Sequence, residues 1–307
     1  MKCPLCEQNE CKIQETIQKK DLITLYQKAF NIDISSLIQS NINYYICKHC
    51  DFRFFVDENG TMPTGDNAFY NTLNKLPWYY MNEKNEYHFA KDFIQPQHKV
   101  LEVGCGKGAF SLFLKTNDYT GLEFSTDAKK IAKENGIHIE NLSIQEYSDS
   151  HQECFDVVCS FQVLEHVSNP KNFLSSKVKS LKGGGAMIIA IPSEDSFLKD
   201  CVNGILNMPP HHVSRFSDTC LKKIAKIFDL DLIEIYHENI QPEHIDLYKS
   251  IIWTKKFLST PLIDKRLVRK FINRAGLIGK KFIHIPPKAY GHTVVAVYQK
   301  KRSNARY

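Results

Sequence analysis

The chain has 307 residues, 43% hydrophobic and 24% charged, with 14 glycines and 12 prolines, which excludes a collagen-like, low-complexity or mainly disordered protein. That length accommodates one large domain and a small module, and no apolar run reaches the roughly 20 residues of a membrane helix. The net charge of +6 is uneven: Lys249–Arg306 holds fifteen Lys or Arg and one acid, Asp264, leaving 25 of the 40 bases against 33 of the 34 acids elsewhere.

The first sixty residues carry two Cys-x-x-Cys pairs, Cys3-Pro-Leu-Cys6 and Cys47-Lys-His-Cys50. Four thiolates on two tight turns suit tetrahedral zinc, which supplies folding energy to small modules. The forty-residue gap between the pairs predicts an inserted helix. The other cysteines are scattered, several in apolar segments, and the Met-Lys-Cys-Pro start has no apolar leader stretch. Reduced thiols in a cytoplasmic protein are therefore expected. Residues 61–98 read as a linker, helical in part and rich in aromatics (Trp78, Tyr79, Tyr80, Tyr87).

From residue 99 the pattern alternates. Strands are expected at Lys99–Val103, Tyr119–Phe124, His138–Leu142, Phe155–Ser160 and Ala186–Ile191, with helices near 109–116, 127–135 and 170–180. Apolar strands alternating with helices predict an α/β fold, a doubly wound and mostly parallel sheet covered on both faces. Asp231–His237 and Thr293–Gln299 read as two last strands separated by amphipathic pieces, Ile251–Leu258 and Leu267–Ile278, a helical insertion at about 240–290. The domain then spans 99–300. It has its own buried sheet, so it is expected to stay folded when the cysteines of the module are replaced.

The chemistry lies at the first strand. Val100-Leu-Glu-Val-Gly104-Cys-Gly106-Lys-Gly108 runs from strand to helix, where glycines admit a bulky ligand close to the backbone. Fifteen residues on, Glu123 ends the next strand, where a carboxylate can accept both hydroxyls of a ribose. The Gly-x-Gly-x-Gly spacing differs from the dinucleotide fingerprint. With Glu102 ahead of it, it resembles the first motif of class I S-adenosylmethionine-dependent methyltransferases. Phe155-Asp-Val-Val-Cys-Ser-Phe-Gln-Val-Leu-Glu-His-Val167, Leu181-Lys-Gly-Gly-Gly185 and the two late strands resemble further features of that family.

The resemblance implies a seven-stranded Rossmann-like sheet. It also implies that Gly104, Cys105, Gly106 and Gly108 line the methionine and ribose of the cofactor, that Glu102 orders its amino end, and that Glu123, followed by Phe124, holds the ribose. Ser143 and Ile144 match the adenine side, without the usual acid, and Gln162 would face the methyl group. The four-Cys module, with Cys3, Cys6, Cys47 and Cys50 as zinc ligands, and Pro209-Pro-His-His-Val-Ser-Arg215 resemble bacterial methyltransferases of sugar and surface-polysaccharide biosynthesis.

Methyl transfer to a hydroxyl needs alignment and removal of a proton, a task that suits histidine. His166, His211 and His212 follow the fourth and fifth strands and are the candidate bases. Some quinone-pathway O-methyltransferases link a metal to a Glu-x-x-Glu-His run; Gln162 stands at its first position here, which argues against a catalytic metal. The expected reaction is O-methylation of a small-molecule or carbohydrate-type acceptor. N- and C-methylation stay open, as do RNA methylation and a non-catalytic zinc-bearing protein. The basic C-terminal segment has few aromatics for stacking bases, which argues against nucleic acid. Its charges, Lys255, Lys256, Arg266, Arg269, Lys270 and Arg274 among them, suit a phosphate-bearing acceptor or an anionic membrane surface.

Overall fold

The computed structural model describes residues 1–73, 75–76, 81–201, 204–258 and 282–302. Trp78, Tyr79 and Tyr80, the amphipathic piece Leu267–Ile278 and the basic residues Arg266 to Arg274 lie outside them.

Two sheets organise the described residues. The N-terminal one is built from β1 (Cys11–Ile17), β2 (Ile42–Cys47) and β3 (Arg53–Val56), with α1 (Lys19–Phe30) as the expected helix between the Cys pairs. Two short helices follow, α2 (Asn67–Leu73) and α3 (Asn85–Ala90).

The larger sheet takes β4 (Val100–Val103), β5 (Tyr119–Leu122), β6 (Ile139–Glu140), β7 (Phe155–Phe161), β8 (Leu181–Pro192), β10 (Leu230–Asn239) and β11 (Tyr290–Lys300). They lie in the order β10-β11-β8-β7-β4-β5-β6. Pairs among β4 to β8 are parallel, and β11 runs antiparallel to both β8 and β10. This is the expected seven-stranded, doubly wound sheet. Every side chain of β4 is buried, as befits a central parallel strand covered on both faces.

Helix starts follow capping chemistry. Ser125 caps α4 (Thr126–Glu134), Ser143 closes a reciprocal capping box with Glu146 on α5 (Ile144–Ser150), and Asn169 with Pro170 at the first turn starts α6 (Pro170–Ser180). Ser217 caps α7 (Asp218–Ile227). The helix expected near 109–116 is instead a 3-10 segment over Ala109–Phe113. Phe110 there is fully buried against Tyr87 and Phe161, at ring separations of 5.2 and 4.6 Å.

The two sheets are not independent. Strand β9 (Ser214–Arg215), from the loop after β8, completes the N-terminal sheet by pairing with β3. Phe55 N–H donates to the Val213 carbonyl at 3.0 Å, and Arg53 meets the buried Glu194 carboxylate at 2.6 Å. Cys3, Leu5, Cys47, Cys50, Phe52 and Phe54 belong to one apolar core with Leu101, Val158, Phe216 and Cys220. The sequence reading of a separable module at 1–60 misses this sharing.

The insertion begins as α8 (Ile245–Leu258), whose Tyr248 and Ile251 pack on Phe197, Leu198 and Ile283 beyond the carboxyl end of β8. Lys255, one of the basic residues singled out from the sequence, reaches Asp200 at 2.7 Å.

Candidate functional site

One cavity of about 1570 Å³ opens at the carboxyl ends of β4, β5 and β7. Strand order reverses between β4 and β7, which is where open α/β sheets bind ligands. The volume exceeds the usual range for one drug-sized ligand and leaves room for cofactor and acceptor together.

At one end lies the glycine loop. Gly104 and Cys105 N–H groups both donate to the Leu122 carbonyl, at 2.8 and 3.1 Å, folding the loop over β5. Gly104, Gly106 and Gly108 all have positive φ. At Gly104 (φ +71°) a Cβ would sit 2.5 Å from Val163 Cγ2. Gly104→Ala should therefore cost roughly 1–2 kcal/mol in backbone strain alone, with the clash added. A lower melting temperature and weakened cofactor binding are expected, and an unchanged thermal scan would refute this.

Glu123 stands at the end of β5 and lines the cavity. Its Oε2 accepts from Gly106 N–H at 2.9 Å and its Oε1 from Ser125 N–H at 2.8 Å. Each oxygen keeps a second lone pair for a ligand hydroxyl. Phe124 beside it is 64% exposed and offers an apolar face.

Of the ten cofactor residues expected from sequence, Gly104, Cys105, Gly106, Glu123, Phe124 and Gln162 line the cavity. Glu102, Gly108, Ser143 and Ile144 do not. Glu102 is buried beneath the loop, accepts the Tyr119 hydroxyl at 2.5 Å, and is pushed up to about 8 by burial. Gly108 faces Ile137. The Ser143 side chain is used in its capping box, and Ile144 lies in the core.

The other end is crowded with imidazole and carboxyl groups. The turn after β7 presents Glu165 and His166, and the segment before β9 presents His211 and His212. The Val213 N–H bond to the Glu165 carbonyl, 2.9 Å, ties the two together. Ring centroids of His166 lie 4.7 and 4.9 Å from those of His211 and His212, which stack at 4.3 Å. Burial holds His166 down to about 4 and the other two well below the ordinary histidine value, so all three are neutral near pH 7. The Tyr70 hydroxyl lies 3.3 Å from His166 Nδ1.

Between the two ends, Gln162 Nε2 donates to Glu86 Oε1 at 3.3 Å and to Thr293 Oγ1 at 3.4 Å. Glu238, on β10, accepts Thr293 N–H at 2.8 Å and is pushed up to about 7 by burial. Glu86, Glu165, Glu238, His244 and His292 all line the cavity and were not singled out from sequence as site residues. Only Glu165, inside the Leu-Glu-His motif, carried a signal that could have found it.

Away from the cavity, the Sγ atoms of Cys3, Cys6, Cys47 and Cys50 lie within 4.8 Å of one another. Cys3–Cys50 and Cys6–Cys47 separations are 3.7 and 3.6 Å. A tetrahedral zinc–sulfur site has edges of about 3.8 Å, given Zn–S bonds near 2.3 Å, so these sulfurs fit that ion.

Residues 78–235 match a family described as a methyltransferase domain. Among curated relatives, the ubiquinone biosynthesis O-methyltransferase of Pectobacterium atrosepticum is 31% identical over 121 residues, 37% of this chain and 47% of that protein. The enzyme of that name from Salmonella enteritidis is 30% identical over 159 residues, 47% of this chain and 63% of its own length. The chain thus spans about half to just under two thirds of the curated relatives it matches. Among solved structures, a SAM-dependent methyltransferase from Archaeoglobus fulgidus aligns over 76% of this chain and all of its own, at 19% identity and a TM-score of 0.52. That likeness concerns the fold.

Proposed function

Given that the chain belongs to the S-adenosylmethionine-dependent methyltransferase family, we propose that it methylates a hydroxyl of a small-molecule or carbohydrate-type acceptor. The observation that carries this reading is the layout of one cavity, with the glycine loop and Glu123 at one end and the histidine cluster at the other.

In this reading Gly104, Cys105 and Gly106 receive the methionine and ribose of the cofactor, Glu123 takes both ribose hydroxyls, and Phe124 flanks the adenine. Gln162, between the two ends, would face the methyl group that is transferred. The acceptor oxygen approaches from the opposite side of that carbon, its proton passing to an imidazole of the cluster; His166, with its side chain 19% exposed, is the most accessible of the three. When bound, S-adenosylmethionine would supply an activated methyl group for in-line transfer to that oxygen. Glu86, Glu238 and the neutral imidazoles are hydrogen-bond acceptors that a hydroxyl-rich ring would satisfy. Acceptors of the kind found in sugar and surface-polysaccharide assembly suit this lining, and the ubiquinone-pathway relatives make a phenolic hydroxyl the second candidate.

Cys3, Cys6, Cys47 and Cys50 hold one structural zinc in this proposal. None of the ten cysteines is paired in a disulfide, which suits a reducing cytoplasm. No described helix is long and apolar enough to cross a membrane.

The test is transfer of labelled methyl from S-adenosylmethionine to nucleotide sugars, glycans, small phenols and total RNA. Transfer to a hydroxyl of the first three classes supports the reading; transfer to RNA alone, or none with any, overturns it. For a phosphate-bearing acceptor, Arg269→Glu with Lys270→Glu should raise its Michaelis constant, with a difference from wild type that shrinks as salt shortens screening to about 8 Å. Equal constants at low salt would leave the basic segment a solubilising surface.

A further inference from the structure

We propose that the acceptor carries a protonated amine, as an amino sugar does, and that the buried carboxylates of Glu86, Glu165 and Glu238 hold it while a neighbouring hydroxyl is methylated. The inference rests on the proposed function in placing the acceptor at this end of the cavity, and it narrows the acceptor class.

The three side chains come from separate elements, α3, the turn after β7 and β10, yet line one cavity. They are 5%, 1% and 4% exposed, so little water reaches them. The groups that meet them are neutral. Glu86 accepts from the Gln162 amide and Glu238 from Thr293 N–H, while the His166 and His212 imidazoles stand 3.8 and 4.0 Å from Glu165. Those last distances are too long for hydrogen bonds. Neither Glu165 oxygen has a hydrogen-bond partner among the described residues. Lys84, which also lines the cavity, lies with its Nζ over the Tyr87 ring, 5.7 Å from the centroid. Burial, with the charge of Glu86 adding to it, pushes Glu165 up to about 8 and Glu238 up to about 7. A cation seated among the three would offset both costs.

The lining as a whole has the same sign. Seven carboxylates line the cavity against two lysines, whereas the chain carries a net charge of +6. Even with Glu123 set aside for the ribose, such a lining draws in a cation and repels an anion. Hydrogen-bond inventory favours an amine over a further hydroxyl. An ammonium brings three donors and no acceptor, whereas a hydroxyl turns lone pairs of its own toward the carboxylate oxygens. Protonation also decides which atom reacts. An ammonium nitrogen has no lone pair to attack the methyl carbon, so the hydroxyl beside the imidazoles is the nucleophile.

The test is saturation-transfer NMR on the full chain loaded with S-adenosylhomocysteine. The probes are glucosamine, galactosamine and mannosamine, each beside its N-acetyl derivative and its parent hexose. At least one amine is expected to bind about tenfold or more tighter than both neutral counterparts, the size of one hydrogen bond to a charged group. Glu86→Gln with Glu238→Gln, and separately Glu165→Gln, should level that preference. S-adenosylhomocysteine affinity, which reports folding, should hold in both. Amines that bind no better than their neutral counterparts overturn the proposal, as does a preference that survives in both variants. A double variant that keeps its amine selectivity but no longer prefers S-adenosylmethionine over S-adenosylhomocysteine assigns the carboxylates to the sulfonium instead, and the proposal falls. The methyl-transfer reading fails by a different readout, the absence of labelled product.

Discussion

Replacing Glu123 with alanine should weaken S-adenosylmethionine binding by about 30- to 900-fold, measured by calorimetry. The carboxylate is placed to accept two ribose hydroxyls, and losing two hydrogen bonds to a charged group costs roughly 2–4 kcal/mol. Two backbone bonds go as well, since Gly106 and Ser125 N–H groups lose their acceptor. The loop would loosen on the cofactor side, while the apolar core formed by Leu101, Val103 and Leu122 stays intact. Glu123→Gln keeps one acceptor oxygen and turns the other into a donor, so its loss should be smaller, on the order of tenfold. A thermal scan separates the two contributions. If Glu123→Ala binds the cofactor as tightly as wild type, the ribose assignment is wrong.

That carboxylate was legible from the sequence because local rules place it. A strand, a glycine turn and a second strand ending in an acid force Glu123 beside the loop whatever the rest of the chain does. The sixth helix was legible to the residue for a similar reason: Asn169-Pro170 caps its start, and the Gly183–Gly185 run lies just beyond its end. The acceptor end obeys no local rule. Glu86, Glu238, His244 and His292 come from segments scattered over two hundred residues and meet only once β10 and β11 close the sheet beside α3. Strand β9 is two residues long, too short for any periodicity, so the completion of the N-terminal sheet could not be read. Ser143 and Gly108 were chosen by position in a motif, and in the fold one is used by a capping box and the other by contact with Ile137.

The shared core changes what removal of the proposed zinc should do. Cys47→Ser with Cys50→Ser deletes two of four ligands, and metal analysis should show the loss of about one equivalent of zinc. A separable module would leave the catalytic core untouched, as the sequence alone suggests. Here the two cysteines are fully buried in the same apolar cluster as Val158, Val213 and Phe216. Unsatisfied ligands there destabilise the cluster as a whole, because structural zinc contributes its binding energy to folding. A fall in melting temperature of roughly 10 °C or more is expected, at about 2–4 °C per kcal/mol for domains of 150–250 residues. The consequence reaches the acceptor site through β3. That strand holds β9 and Val213, and Val213 in turn bonds the Glu165 carbonyl between the two histidine-bearing segments. Turnover should therefore drop, by up to about 100-fold for a positioning error on the order of 1 Å. Cofactor affinity should change far less, because the glycine loop and Glu123 sit at the opposite end of the cavity. Zinc loss with unaltered melting and turnover would mean that the N-terminal sheet is a passive attachment, and that β9 is not what holds His211 and His212 in place.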